Sequence, residues 1–242
     1  MSEARAVRAS PAVDAVLLDA GGVLMLPSHE PIVAALERVE VSVDTALLDA
    51  AHYAGMRGLD EAPPERFEWR HYLDAYVWTL GVAAPRREAT LAALHACFDD
   101  SAALWRRAIP GVREALGALL AAGVRLGVVS NAEGTCEARL AELAVCQVGP
   151  GAGAPVEIVV DSHLVGVEKP DPAIFGFALT AMGLDPARCL YVGDSVRFDV
   201  TGARAAGLRP VLVTPEPAAR SGAFPRVRGL AELLALLARG GA

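Results

Sequence analysis

Short apolar runs alternate with helix-forming segments through the second half of the chain, and this alternation most constrains the fold. The runs "RLGVVS", "CLYVGD" and "PVLVTP" are separated by segments whose apolar residues recur at helical spacing. Another run, residues 15–19, is apolar up to Asp19, which is typical of a strand covered on both faces. The repeated strand–helix order predicts an α/β fold with a doubly wound, Rossmann-like parallel sheet.

A long segment between the first apolar run and this alternation has a different character. From about residue 29 to residue 107 the apolar residues recur at helical spacing, and no strand pattern intervenes. The breaks "DEAPPE" and "GVAAP" divide the segment into about four helices. We therefore predict an α/β core formed by residues 13–27 and 108–242, and an inserted helical cap formed by residues 28–107.

Composition excludes several classes of function. The 242 residues, 53% of them hydrophobic, are enough to bury a core. A formal net charge of −7 argues against nucleic acid or an anionic membrane surface as the main partner. The four cysteines show no CxxC spacing, and the N-terminus makes a poor signal peptide. These features predict a cytoplasmic protein with reduced thiols.

The ends of the predicted strands carry most of the chemistry-bearing residues. In an open parallel sheet, ligands bind beyond the carboxyl ends of the strands, near the point where the strand order reverses. Taken singly, each of these residues has an ordinary explanation as a helix cap or a first-turn acid. Together they favour a functional site, since all fall at one sheet edge and include the only lysine of the chain. The residues are Asp19, Ser130, Asn131, Lys169, Asp194 and Asp199.

Such a cluster suits one kind of reaction. Several carboxylates together favour Mg²⁺, which prefers oxygen ligands. A carboxylate beside that cation and a lysine can stay ionised and attack an electrophile. The lysine and the N–H groups of a glycine-rich turn can then stabilise the charge of a phosphoryl group. The pattern indicates phosphoryl transfer through an aspartyl phosphate, on a small phosphorylated substrate.

Four motifs in this order, "LLDAGGVL", "VVSNAE", "VGVEKPDPAIF" and "YVGDSVRFDVTGARAAG", resemble those of the haloacid dehalogenase superfamily, whose members are mostly phosphatases. The resemblance covers residues 13–27 and 108–215, and the helical segment is similar to that family's small cap. It implies that Asp19 is the nucleophile, that Lys169 neutralises it, and that Ser130 and Asn131 bind phosphoryl oxygens. The implied Mg²⁺ site comprises Asp19, the backbone carbonyl of Gly21, Asp194 and, in support, Asp199.

Gly21 departs from the family pattern. Most phosphatases of this kind have an aspartate there, which protonates the leaving group and later activates water. Such a group contributes roughly 10²- to 10⁴-fold to the rate, and glycine cannot supply it. The nearest candidates in the sequence for a substitute are His29, Glu30 and Glu133.

Three interpretations stay open at this point. The first is a Mg²⁺-dependent phosphatase that is slow, or that acts on acyl phosphates, whose acidic leaving groups need little protonation. The second is a haloacid dehalogenase, but dehalogenases of the family carry a different final motif without the metal acids. The third is a non-catalytic member that binds a phosphorylated ligand or a protein. A phosphonate-cleaving enzyme is nearly excluded, since it needs a cap lysine and residues 28–108 contain none.

Overall fold

A computed structural model describes residues 13–63, 65, 68–99, 104–215 and 224–239. Residues 216–223 and 240–242 of the predicted core therefore lie outside the described residues. In chain order, the strands are β1 (Ala15–Leu18), β2 (Met25–Leu26), β3 (Arg107–Ala108), β4 (Arg125–Ser130), β5 (Cys146–Val148), β6 (Ala154–Val156), β7 (Val159–Asp161), β8 (Cys189–Gly193), β9 (Arg209–Val213) and β10 (Arg226–Val227).

The helices follow the same alternation. They are α1 (His29–Glu37), α2 (Leu48–Glu61), α3 (Arg70–Thr79), α4 (Arg87–Asp99), α5 (Val112–Ala121), α6 (Cys136–Glu142), α7 (Ser162–Val165), α8 (Ala173–Met182), α9 (Thr201–Ala205) and α10 (Leu233–Ala238). A π-helical turn, Val196–Val200, leads directly into α9.

The central sheet confirms the predicted fold class. In the described part of the chain it has six strands in the order β10-β9-β8-β1-β4-β7, and every pairing is parallel. From β1 the chain builds outward through β4 and β7, and then returns to the other side of β1 as β8. The strand order thus reverses at β1, which makes the end of this strand the expected ligand-binding position.

Both faces of the sheet are buried, which explains why β1 is apolar throughout. Val16 and Leu18 lie in one apolar cluster together with residues of α5 and α6. Ala15 and Leu17 point to the opposite face and pack in a second cluster with residues of α8. Alternate residues of one strand therefore meet helices on opposite sides, as a doubly wound sheet requires.

The segment between β2 and β3, which we call the helical insert, has an apolar core of its own. In its described residues it contains the predicted four helices, α1–α4. Its buried residues include Ile32, Leu59, Tyr76 and Leu94. The strands β2 and β3 pair in antiparallel fashion at its base, with Met25 opposite Ala108, so the chain leaves and rejoins the core at neighbouring points.

Two predicted elements differ from the structure. The β-rich stretch expected at residues 156–166 contains the short strand β7 followed by the one-turn helix α7. The helix expected at 196–206 is divided into the π-helical turn and α9. In that turn the Val200 N–H donates to the Ser195 carbonyl, which is the wider π spacing and is often found at functional sites.

Candidate active site

Asp19 lies immediately after β1, where the strand order reverses. Its N–H continues the ladder to the Val192 carbonyl of β8 at 2.8 Å. Its Oδ1 accepts a hydrogen bond from the next N–H, that of Ala20, at 2.8 Å. The side chain is thereby fixed at the carboxyl edge of the sheet, with the residue only 7% exposed.

The only lysine of the chain lies against this carboxylate. Lys169 Nζ lies 2.9 Å from Asp19 Oδ1 and 2.8 Å from Asp199 Oδ1, and it donates to the Tyr191 hydroxyl at 3.0 Å. Its residue is 2% exposed. Arginine could not replace it, because a planar guanidinium cannot donate from one atom to three converging acceptors.

Asp194 and Asp199 are held together by the chain between them. Asp199 Oδ2 accepts from the N–H groups of Asp194 and Ser195, at 3.0 and 2.9 Å. Gly22 faces Asp194 at very close range, since a Cβ added there would lie 1.9 Å from Asp194 Oδ2. Gly22 also has a φ of +67°, so both its backbone conformation and its neighbour require glycine.

The charges of this cluster are unbalanced. Carboxylate oxygens of Asp19, Asp194 and Asp199 all lie within 4.8 Å of one another, and the buried cation beside them is Lys169. Burial and the neighbouring carboxylates raise the pKa of Asp19 to about 7, although Lys169 opposes the shift. Burial also raises the pKa of Asp194.

The donor set suits a hard divalent cation. Three buried carboxylates gather beside one lysine, which contacts two of them, and all the ligand atoms that they offer are oxygens. Mg²⁺ bound there would oppose the repulsion between the carboxylates, which adds to the effect of burial in raising the pKa of Asp19. The three aspartates predicted as metal ligands are therefore brought together, whereas the role of the Gly21 carbonyl stays a prediction.

The two residues predicted to bind phosphoryl oxygens lie at the end of β4, beside β1. Ser130 is its last residue and is 4% exposed. The Asn131 side chain is directed to the lysine loop, where its Oδ1 accepts from the Lys169 N–H at 2.7 Å and its Nδ2 donates to the Lys169 carbonyl at 3.0 Å. The Asn131 side chain thus positions Lys169, and phosphoryl binding by Ser130 and Asn131 stays a prediction.

An aromatic ring occupies the space beside Gly21. A Cβ added at this glycine would meet two ring atoms of Trp105 at 3.2 and 3.3 Å. Trp105 is partly buried and packs against apolar clusters of both the core and the helical insert. The space that an acidic side chain at residue 21 would enter is therefore covered by an indole.

The three sequence candidates for a substitute acid do not join the cluster. His29 Nε2 lies 2.9 Å from Asp49 Oδ1 within the helical insert, and Asp49 is also paired with Arg107. Glu30 and Glu133 are both exposed.

Sequence reasoning missed the contribution of α2. His52, 2% exposed, has Nε2 at 3.0 Å from Asp194 Oδ2 and Nδ1 at 2.9 Å from the Tyr72 hydroxyl. Tyr53 donates from its hydroxyl to the Gly22 carbonyl at 2.8 Å. Asp60 accepts hydrogen bonds from the Ser195 hydroxyl and from the N–H groups of the two residues after it. In the sequence, His52 and Asp60 are two of several polar residues of α2, and nothing local marks them out.

Comparisons with a family model and with curated proteins point to the same family. The model of a family described as haloacid dehalogenase-like hydrolases matches residues 13–207. A phosphoglycolate phosphatase of Rhodospirillum rubrum is 40% identical over 121 residues, which are 48% of this chain and 46% of that protein. A plasmid-encoded phosphoglycolate phosphatase of Cupriavidus necator is 34% identical over 161 residues, 64% of this chain and 67% of that protein.

The CbbY protein of Rhodobacter capsulatus is 36% identical over 45% of this chain and 46% of its own length, so the match spans about half of the first curated relatives. Among solved structures, a HAD phosphatase from Thermococcus onnurineus superimposes with a TM-score of 0.54 at 19% identity, over 93% of this chain and 98% of that one. This likeness concerns the fold. No helix among the described residues has the length and apolar character needed to cross a membrane.

Proposed function

The chain belongs to the haloacid dehalogenase-like hydrolase family, and from this premise we propose that it is a Mg²⁺-dependent phosphatase of small phosphorylated metabolites. One observation carries the proposal: three buried aspartates converge within 4.8 Å, and the only lysine contacts the one at the strand-order reversal. Relatives named phosphoglycolate phosphatases support a small, acidic substrate. The contacts of α2 support a helical insert that acts as a cap over this site.

In the proposed reaction, Asp19 attacks the phosphorus atom. A new bond forms between phosphorus and a carboxylate oxygen of Asp19, and the bond from phosphorus to the leaving-group oxygen breaks with its electron pair. The oxygen of a water molecule then bonds to the same phosphorus atom, and the bond from phosphorus to the Asp19 oxygen breaks. Phosphate leaves, a proton of the water passes to the solvent, and the Asp19 carboxylate is restored. Lys169 lowers the pKa of Asp19 against the effect of burial, which favours the ionised nucleophile, and it stabilises phosphoryl charge during the attack.

Mg²⁺ at the aspartates would supply charge neutralisation for the incoming phosphoryl group. Asp199 holds the backbone of Asp194 and Ser195 through two hydrogen bonds, so the Asp194 side chain is presented toward Asp19. Asn131 fixes the backbone of Lys169 on the opposite side. Asp194 and Lys169 are therefore each positioned by a second polar side chain.

The absence of a carboxylate at residue 21 restricts the substrate. An alkyl phosphate needs a proton on its departing oxygen, whereas an acyl phosphate departs as a stable carboxylate and needs none. The Trp105 ring beside Gly21 offers no proton of the required acidity. We therefore expect acyl phosphates, or aryl phosphates with an acidic phenol, to be cleaved faster than alkyl phosphates.

The test is phosphate release by the purified full chain with Mg²⁺, from acetyl phosphate, nitrophenyl phosphate and phosphoglycolate. We expect turnover that EDTA stops, with the acyl phosphate cleaved fastest. Asp19→Asn should lower the rate by at least about 10³-fold, because removal of a catalytic nucleophile can lower kcat by about 10⁶-fold. Asp14→Asn, a matched change at a surface ion pair, should leave the rate unchanged.

Other outcomes would select the alternatives. Binding of a phosphorylated compound without any turnover at high enzyme concentration would favour a non-catalytic member. Chloride release from a haloacid without Mg²⁺ would favour a dehalogenase. Turnover that persists in Asp19→Asn would contradict the proposed nucleophile.

A further inference from the structure

One face of α2 lies against the loops of the candidate site. His52 and Tyr53 contact Asp194 and the Gly22 carbonyl, and Asp60 follows two helical turns later. All three side chains leave the helical insert and end at core residues adjoining the carboxylate cluster. Asp60 makes the largest number of these hydrogen bonds.

The carboxylate of Asp60 binds the start of the π-helical turn. Its Oδ1 accepts from the Ser195 hydroxyl at 2.6 Å and from the Arg197 N–H at 2.9 Å. Its Oδ2 accepts from the Val196 N–H at 2.7 Å. These are N–H groups at the beginning of a helical turn, which have no partner within the turn itself.

Ser195 already performs the ordinary capping of this turn, because its Oγ accepts from the Phe198 N–H at 3.1 Å. Asp60 is therefore an additional partner that comes from another part of the fold. The Ala62 carbonyl, close behind Asp60, accepts from the Arg197 guanidinium and continues the same contact.

The segment that Asp60 holds is the one that carries the proposed metal ligands. Asp199 accepts the N–H groups of Asp194 and Ser195 from within the site, and Asp60 accepts those of Val196 and Arg197 from the helical insert. Two carboxylates thus divide four consecutive N–H groups between them. The backbone after Asp194 is therefore held by a carboxylate of the core and by a carboxylate of the helical insert.

We propose that Asp60 is a positioning residue, through which the helical insert orders the Asp194–Asp199 segment for Mg²⁺ binding. The inference rests on the metal site of the proposed function. Asp60 itself does not touch the metal or the substrate. It raises metal affinity by holding the backbone from which Asp194 and Asp199 project, as partners of metal ligands commonly do.

Calorimetric titration of the full chain with MgCl₂, without substrate, tests this directly. Asp60→Ala should weaken Mg²⁺ binding by about 10- to 100-fold. Asp60→Asn keeps the shape of the side chain. If its oxygen keeps the two hydrogen bonds of Oδ1, its NH₂ group faces the Val196 N–H, and Mg²⁺ affinity should fall by at least several-fold. This variant serves as the test if Asp60→Ala folds poorly. Glu61→Ala, an exposed neighbour on the same helix, should bind Mg²⁺ like the wild type.

Amide hydrogen exchange of the metal-free proteins provides a second readout. Peptides covering residues 194–200 should exchange faster in both Asp60 variants than in Glu61→Ala, while peptides of β1 and β4 should not change. A purely structural role of Asp60 would accelerate exchange throughout the helical insert and leave Mg²⁺ affinity unaltered.

The outcomes separate the inference from the proposed function. If the wild type binds Mg²⁺ and the Asp60 variants bind it equally well, the inference is overturned and the proposed function stands. If the wild type binds no Mg²⁺, the metal site of the proposed function fails and the inference falls with it. Weaker binding combined with faster exchange at 194–200 supports both.

Discussion

The core edge and the helix α2 meet at the candidate site and contribute different kinds of residue. The core supplies Asp19, Lys169 and the two later aspartates from strand ends and the turns after them. The helix supplies His52 and Asp60, which contact those acids or the backbone between them.

This difference separates reacting charge from the groups that hold it. The core residues form a cluster of three carboxylates and one lysine, so the carboxylates repel one another. The helix adds hydrogen bonds that restrain the cluster, and Trp105 fills the space beside Gly21. We infer that the core residues determine the type of reaction. The helical insert determines the rate of that reaction and the leaving groups that are accepted.

The largest effect on stability is expected at the buried ion pairs of the core. Lys169→Met leaves Asp19 and Asp199 without their cation, and loss of one partner of a buried pair destabilises by about 3–5 kcal/mol. Urea unfolding without metal measures this. Arg188→Met removes the exposed pair with Asp14 and should have a much smaller effect. Equal effects of the two changes would mean that the Lys169 contacts contribute little.

The pH dependence of the free energy of unfolding, measured without metal, should reveal the raised pKa of Asp19. The folded protein keeps the Asp19 proton up to about pH 7, while the unfolded chain releases it near the ordinary value of 3.8. The folded state therefore binds more protons between these values, and stability falls as pH rises from about 4 to 7.

Thermal melting of the wild type and Asp19→Asn isolates this contribution. We expect Asp19→Asn to gain stability relative to the wild type as the pH rises through this window, and Mg²⁺ to reduce the difference. If the difference in stability between the two proteins does not change with pH, the pKa of Asp19 is not raised in the folded state.

Substitutions at Gly21 and Trp105 test whether the helical insert limits the leaving groups that the site accepts. Gly21→Asp alone should give little gain on an alkyl phosphate, because the new side chain meets the indole. Gly21→Asp combined with Trp105→Ala should raise kcat on that substrate by about 10²-fold, the lower range for general acid catalysis. Trp105→Ala alone is the control. A full gain from the single change would show that Trp105 is no obstacle.

The smallest effect is expected at a single hydrogen bond between the regions. Tyr53→Phe removes the bond to the Gly22 carbonyl and should destabilise by about 0.5–1.5 kcal/mol. Tyr76→Phe is a matched control, because among the described residues the Tyr76 hydroxyl is buried without a hydrogen-bond partner. Its loss should be neutral or stabilising. The reverse order of the two effects would contradict the assigned contact.

The sequence predicted the core because its signals are local. An apolar strand that ends at Asp19 or Asp194 places its acid at a known edge of a parallel sheet, whatever the rest of the chain does. Lys169 was singled out because no other lysine occurs. The four helices of the insert were equally readable from their periodicity.

The role of α2 could not be predicted, because it depends on how the insert packs on the core. His52 reads as one polar residue on an apolar helix face, and nothing near it in sequence indicates Asp194, 142 residues away. Trp105 reads as one of several aromatic residues of the helical segment. Only the three-dimensional arrangement shows that its ring stands beside Gly21.

The most direct test of the central claim is detection of the phosphoryl group on Asp19. The full chain is mixed with acetyl phosphate and Mg²⁺, quenched in acid, digested and analysed by mass spectrometry. With no carboxylate at residue 21 to activate water, the second step should be slow, and the peptide that contains Asp19 should accumulate phosphate on that residue. An unmodified Asp19, or a phosphoryl group on another residue, would contradict the account.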